Sequence, residues 1–583
     1  MFKKLDPLKP YLYKYRVQFF WGGSVLLLNN LIWIFFPQVI GRAINDLNQG
    51  ITQHKIVTYS LALIAIALGK GLFQFLMRWI LIGISREIEF DLRNDLFRHL
   101  ESLSYSYYQR TRVGDIMARA TNDLNAVRML LGPAIMYTAN TIVFTAGALA
   151  FMLKISPRLT MFAFLPLPVA SILVQYFGRR IHERFERIQA TFSDISARAQ
   201  ENFSGARLVR AYVQEEPEIE LFETANREYI ARSLKLVRLI GMLWPTLEML
   251  LGLAIILVLW LGGREVLLHR MNVGNFVAYN TYMVQLTWPV IALGWVINIF
   301  QRGTASLGRI NEIFSERPDV TDDRVAPDLK ELSAIHGDIE FRGLTFSYPT
   351  GGEVLSGIEL RIPAGTSLAI VGPTGSGKST LVSLIPRIYD AAAGSVLIDG
   401  RNITDFPLET LRKNIGFVPQ ETFLFSSSIR DNIAFGTEQS TDEEVEAAAQ
   451  AASLAQEIHG FPQGYATVVG ERGLMLSGGQ KQRTAIARAI IRNPRILILD
   501  DALSSVDTYT EERILNHLRE IMQGRTTIFI SHRVSTVRAA DQIAVLHGGE
   551  IVELGPHEDL LALNGYYADL YNKQLLEEEL AKV

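Results

Sequence analysis

The 583-residue chain contains no cysteine. Disulfides, thiol catalysis and thiolate metal sites are therefore excluded, and the redox compartment is unreadable. An excess of one charge is also missing. Its 57 basic and 60 acidic residues leave a net charge of −3, which argues neither for nor against nucleic acid, and no nucleic-acid partner is expected. No removable signal sequence is evident, because the first apolar run is too long and no small-residue cleavage site follows it.

What is present is uneven. Apolar residues make up 49% of the chain and charged residues 20%, but these averages join two unlike halves. Up to about Phe300 long apolar runs dominate; beyond about Pro318 the pattern is that of an α/β protein of ordinary helices and strands. Six stretches, 17–41, 56–84, 131–155, 159–180, 241–267 and 274–300, are long enough to cross a ~30 Å hydrocarbon layer at ~1.5 Å per residue. Segments 86–128 and 181–238 are rich in Lys and Arg, whereas the other connections hold few. The basic segments are expected on the cytoplasmic side, with both chain ends. They read as helices continuing beyond the membrane, with turning points near Val113-Gly114-Asp115 and Ala211–Pro217. Arg78 and Glu248 fall at or near membrane depth, where a charge needs a partner; they either pair with each other or line a cavity. Asn140, Trp244, Asn280 and Gln285 are weaker candidates for a lining, with helix packing as the alternative. The expected organisation is a membrane domain at 1–316, a linker at 317–336 and a second domain at 337–583.

The second half turns on Gly372-Pro373-Thr374-Gly375-Ser376-Gly377-Lys378-Ser379-Thr380, which fits G-x-x-x-x-G-K-[ST] at every fixed position. A buried strand is expected before it and a helix after it. In that context glycines let backbone N–H groups curl around a polyphosphate, Lys378 reaches the β- and γ-phosphates, and Ser379 holds Mg2+. Arg495–Asp500 reads as a buried strand ending in a carboxylate, placing Asp500 by the Mg2+ shell. Another buried strand ends at Ser531, before His532. Tyr348, ahead of Pro349, either stacks on an adenine or is a core tyrosine. Leu476-Ser477-Gly478-Gly479-Gln480 precedes a basic helix and forms a second anion-receiving helix start. Because one site already has its phosphate loop, this element is best explained if it serves nucleotide on another chain.

These motifs, in this order and spacing, resemble the half-size ABC exporters, in which a membrane domain is fused ahead of an ATPase domain. The resemblance covers essentially the whole chain. It implies a six-helix transmembrane domain followed by an α/β P-loop ATPase domain, with ATP and Mg2+ as ligands. It also implies a location in the cytoplasmic membrane. Carried over residue by residue, Tyr348 stacks on adenine, Gln420 contacts Mg2+ and the attacking water, and His532 contacts the γ-phosphate. Ser477–Gln480 is the signature, Ser504–Asp507 follows the Asp500 strand, and Gly470–Gly473 meets the partner's coupling helices. The two turning points correspond to the family's coupling helices.

One position departs from the pattern. The family usually has Glu after the strand-ending aspartate, where it polarises the hydrolytic water; this chain has Asp501. A carboxylate ~1 Å short of the ~2.6–3.2 Å contact needed for proton transfer is a poor base. The chain therefore resembles the degenerate-site half of heterodimeric multidrug exporters. The expected partner is a second half-transporter chain, and the expected cargo is a small hydrophobic or amphipathic, drug-like or lipid-like molecule. A homodimeric lipid or glycolipid flippase is the alternative.

Overall fold

The computed structural model describes residues 2–323, 325, 335–348, 351–470, 473, 475–504, 508–531 and 533–580. It comprises two compact units: Met1–Phe97 with Met117–Ile313, and Arg98–Ile116 with Phe314–Val583. Positions 324 and 326–334 of the expected linker lie outside the described residues.

The first unit is all helical. Among the described residues five helices are long and apolar enough to cross a membrane: Arg16–Asn48, Gln53–Ser102, Val113–Ile155, Glu215–Leu267 and Val273–Ser315. The stretch expected at 159–180 is not one helix. Helix Pro157–Ala163 ends at Phe164, and Leu167–Ser204 restarts after Pro166. Proline lacks the N–H that would continue the ladder but suits a first turn, so a break here has a local cause.

Small and polar residues fix the packing of this unit. At Gly274 a Cβ would fall 1.9 Å from the Gly41 carbonyl oxygen, and the Gly274 N–H donates to Asn45 Oδ1 at 2.7 Å. Buried Tyr282 donates to the Ile34 carbonyl at 2.6 Å, and Tyr279 to Thr160 Oγ1 at 3.2 Å. Asn140 accepts from Asn30 Nδ2 of another helix at 3.0 Å, whereas Asn280 Nδ2 donates to the Phe276 carbonyl of its own helix. Gln285 Oε1 is buried without a hydrogen-bond partner, and Trp244 is exposed. Arg78 and Glu248 are both exposed, and among the described residues no ion pair joins them. Arg78 instead lines an open cleft with Gln74, Trp79 and Arg86.

Helix Val113–Ile155 carries two π-turns, Arg119–Asp123 and Leu130–Ala134. Each wide turn shifts the helix face that follows it. By the first, buried Asp123 accepts from Ser306 Oγ and Arg309 Nε, both at 2.8 Å. A buried carboxylate is tolerable only with such partners.

The second unit contains two sheets. β1 (Ile339–Ser347), β2 (Glu353–Ile362), β4 (Val396–Ile398) and β5 (Arg401–Asn402) form an antiparallel sheet in the order β2-β1-β4-β5. The other sheet adds β3 (Ser367–Val371), β6 (Ile415–Val418), β7 (Ile496–Asp500), β8 (Thr526–Ile530), β9 (Gln542–His547) and β10 (Glu550–Gly555) in the order β10-β9-β3-β8-β7-β6. All its neighbours are parallel except β10 and β9. Every residue of β3, β7 and β8 is buried, which explains the apolar runs 368–371, 496–499 and 528–530 that fill most of them. The order brings the C-terminal ends of β3, β8 and β7 to one edge.

Both expected turning points are breaks flanking short helices. The first lies earlier than Gly114 suggested. Gln53–Ser102 ends, Ser104 is extended, a short helix runs Tyr105–Arg110, and Thr111 is extended again. Val113, Gly114 and Asp115 are already helical. The second break follows Ala206–Ala211, with Val213 at φ +54° before helix Glu215–Leu267.

Candidate functional site

The loop after β3 is shaped by three left-handed glycines. Gly372 has φ +148°, and a Cβ there would lie 2.0 Å from the Leu546 carbonyl oxygen of β9. Gly377, at φ +102°, would place a Cβ 2.8 Å from Leu355. Gly375 (φ +83°) faces open space. Strand packing on one side and backbone curvature on the other thus leave no other residue type at 372 and 377 without strain.

Lys378 opens the helix Lys378–Ser383 and turns its ammonium back into the loop. Its Nζ donates to the carbonyls of Gly372 and Pro373, both at 2.8 Å. Burial holds this ammonium below the usual lysine range, while Asp500 and Asp501 act in the opposite direction. Ser376 Oγ is buried with no hydrogen-bond partner, an orphaned polar atom in the loop. Ser379 Oγ donates to Asp500 Oδ1 at 3.0 Å, uniting the start of the helix with the end of β7. Thr380 Oγ1 and the Tyr348 hydroxyl are 2.9 Å apart. An orphaned hydroxyl, a cation and a hydroxyl–carboxylate pair are the donor and acceptor set that a nucleotide polyphosphate and Mg2+ call for. The residues therefore fit both groups.

Asp501 follows in the left-handed region at φ +49°. Its N–H donates to the Ile530 carbonyl at 3.1 Å, and its own carbonyl accepts from Ser504 Oγ at 3.0 Å and Gln482 Nε2 at 3.4 Å. Gln420 stands exposed just past β6. His532, Ser505–Asp507, Glu471 and Arg472 lie outside the described residues.

Ser477 is the N-cap of helix Gly478–Ile490. Its hydroxyl accepts from the Gln480 N–H at 3.3 Å, and its own N–H donates to Gln480 Oε1 at 2.9 Å, a complete capping box. Gln480 Nε2 donates to Glu457 Oε2 at 2.9 Å, and Arg483 Nη1 reaches Glu457 Oε1 at 2.6 Å. Gly478 and Gly479 therefore open a helix start that is held from behind and has no Cβ in front.

The family pattern described as "ABC transporter transmembrane region" matches residues 19–290, and that described as "ABC transporter" matches residues 355–504. The chain belongs to the ABC transporter family. It is 38% identical over 579 residues to the probable multidrug resistance ABC transporter ATP-binding/permease protein YheI of Bacillus subtilis, covering 99% of this chain and 98% of that one. It is 36% identical over 560 residues to the multidrug resistance-like ATP-binding protein MdlA of Escherichia coli, with 96% and 94% covered. An ATP-dependent lipid A-core flippase of Syntrophus aciditrophicus is 38% identical over 523 residues, with 90% and 86% covered. Among solved structures, a bacterial Atm1-family ABC exporter with ATP bound superposes with a TM-score of 0.78 at 29% identity, covering 96% and 98%. This ABC exporter is accordingly a multi-pass membrane protein with an ATP-binding domain fused behind its membrane helices.

The structure also brings in residues that the motifs did not announce. Gln482, on the signature helix, donates to Ser504 Oγ at 3.0 Å and so ties that helix to the Asp501 turn. Tyr389 packs against Tyr348 with ring centroids 5.3 Å apart. Neither has a local sequence signal, because each acts through partners remote in the chain.

Proposed function

We propose that this chain is one half of a dimeric exporter that uses ATP to move a hydrophobic or amphipathic molecule out across the cytoplasmic membrane. Both termini and the ATPase domain face the cytoplasm, and six helices per chain cross the bilayer. The observation that carries this reading is that one chain holds both a formed phosphate loop and a capped signature start. ATP on the loop of one chain is completed by the Ser477–Gln480 element of the other. The nucleotide thereby favours the closed pair by binding it better than the open one, which is the only way a ligand shifts such an equilibrium.

Within the site, Lys378 exchanges its loop carbonyls for phosphate oxygens, and the loop N–H groups and Ser376 hydroxyl receive the rest of the polyphosphate. Tyr348 stacks on the base. Ser379, Asp500 and Gln420 would hold Mg2+, which supplies charge neutralisation between the β- and γ-phosphates. Asp501 sits at the reacting end, and His532 is assigned to the γ-phosphate by the family motif alone. Because Asp501 is short, the nucleotide on this chain's loop turns over slowly, and the partner is a different half-transporter with a competent site. A second reading, a homodimer that flips a lipid, takes its lipid cargo from the 38% identity to an ATP-dependent lipid A-core flippase.

Reconstituted vesicles test both. ATP-dependent movement of a fluorescent amphiphile or a labelled phospholipid is expected, and Lys378→Ala should reduce it at least tenfold together with ATP binding. Transport that survives Lys378→Ala with nucleotide binding abolished would end the proposal. Purification on a tag carried by this chain separates the readings: a one-to-one companion indicates the heterodimer, self-association the flippase-like homodimer.

A further inference from the structure

Tyr389 sits between two parts of the second unit that have different tasks. It is 9% exposed, and its ring meets those of Tyr348 at 5.3 Å and 82° and Phe346 at 5.9 Å and 55°. On another side it meets Tyr105 at 6.1 Å and 73°. Tyr105 is on the short helix Tyr105–Arg110, in the segment Arg98–Ile116 that interrupts the long helices of the membrane half. Gln109 of the same helix hydrogen-bonds the Tyr389 hydroxyl. Burial pushes that hydroxyl up to about 12, while the Gln109 hydrogen bond acts in the opposite direction.

The groups on either side of the Tyr389 ring are held by hydrogen bonds of their own. Arg387, 2% exposed, is bonded through two nitrogens to Asp390, at 2.8 and 2.9 Å, across Tyr389, and the Ile388 N–H donates to the Ser383 carbonyl. The short helix is likewise held, by Arg110 to Glu316 at 2.6 Å and by Ser104 Oγ, which accepts from the Val320 N–H at 3.0 Å. Tyr348 is tethered at its hydroxyl to Thr380 of the phosphate loop. Edge-to-face rings constrain each other's tilt, because the positive edge of one seeks the negative face of the other.

We propose that Tyr389 is a positioning residue that reports whether a nucleobase lies on Tyr348 to the intracellular segment Arg98–Ile116. It does so by a path separate from the phosphate contacts, and the proposal rests on the reading of Tyr348 as the base-stacking ring. A base lying on Tyr348 fixes its plane; Tyr389 follows, and Tyr105 and Gln109 follow Tyr389. A polyphosphate without a base leaves this path unset even when the loop is filled.

The test uses the full-length transporter in vesicles, with Arg112→Cys as the single labelling site in a chain that has no cysteine of its own. ATP is expected to change the fluorescence of a label at 112, and inorganic tripolyphosphate at saturation is not. Tyr389→Leu and, independently, Tyr105→Ala should weaken the ATP response roughly three- to tenfold, the scale of one edge-to-face pair. ATP affinity should stay within about twofold of the parent, and Tyr389→Phe should restore most of the response. Because Tyr105 is exposed, its truncation does not threaten the core. A full ATP response in both Tyr389→Leu and Tyr105→Ala would overturn the relay, as would an equal response to tripolyphosphate. A Tyr348→Ala variant with unchanged ATP affinity would instead remove the base-stacking reading, so the two failures are distinguishable.

Discussion

On the proposed reading of Asp501, replacing it by Glu should accelerate hydrolysis at the site on this chain, and the backbone bonds around it say where the added reach must come from. The Asp501 N–H is bonded to Ile530 of β8, and its carbonyl accepts from Ser504 and Gln482. A peptide unit held at both ends cannot slide toward the water, so added reach must come from an added methylene. Proton transfer needs a ~2.6–3.2 Å contact, and a misplacement of ~1 Å costs on the order of 10²-fold. Asp501→Glu is therefore expected to raise turnover at this site by about ten- to a hundredfold. The backbone imposes an opposing cost. At φ +49° aspartate is tolerated better than longer side chains, and the substitution should destabilise the domain by about 1 kcal/mol, or ~2–4 °C in melting temperature. Phosphate release by the reconstituted assembly at saturating Mg-ATP, read over a single turnover and at steady state, provides the assay. In a homodimer the steady-state rate rises by the full factor. With an already competent partner the total rises only about twofold, while the slow single-turnover phase disappears. An unchanged slow phase in a folded Asp501→Glu protein, equal to that of Asp501→Asn, would refute the reasoning, because carboxylate reach would then not limit the step.

Two further outcomes follow from the phosphate loop. Gly372→Ala forces a Cβ to 2.0 Å from the Leu546 carbonyl, so thermal unfolding should show a loss of about 1–3 kcal/mol or more; Gly375→Ala, in open space, should lose only about 1 kcal/mol. Lys378 titrates below an ordinary lysine because burial penalises its charged form. That penalty is present at neutral pH and is relieved as pH rises through the lowered pKa, so the domain gains stability there while its affinity for ATP falls. The fall should begin below the usual ~10.4 of lysine, whereas Lys378→Arg should show none up to pH 10 by fluorescent-nucleotide binding.

The parts legible in the sequence were those in which backbone chemistry dictates residue type. Gly372 and Gly377 are glycines because of positive φ and close neighbours, and the apolar runs 368–371, 496–499 and 528–530 mark strands buried on both faces. The first turning point was read near Val113-Gly114-Asp115, a few residues past the extended Ser104 and Thr111 that make the break. Glycine is tolerated in a helix's first turn, and the better signal was Ser104, whose extended backbone and short polar side chain suit a helix entry. The stretch at 159–180 reads as one apolar span by composition, yet Pro166 divides it, which hydropathy averaging conceals. Tyr389 and Gln482 were not legible at all. An aromatic or an amide inside a helix-rich run carries no mark of a partner that the fold supplies from far along the chain.

The signature start explains how one element can both stabilise its own chain and serve another. Ser477 Oγ is the acceptor in its cap bond to Gln480, so its O–H remains a donor. The Gln480 and Lys481 amides are spent on Ser477, which leaves the first-turn amides of Gly478 and Gly479 facing outward without a side chain. Glu457 fixes Gln480 and Arg483 from behind, so the cap keeps its geometry whether or not a phosphate is near. Donors ordered during folding cost little further entropy when they meet a ligand. On the proposed reading, a phosphate carried in on a second chain's loop finds preformed donors, and its binding energy is left to hold the two chains together.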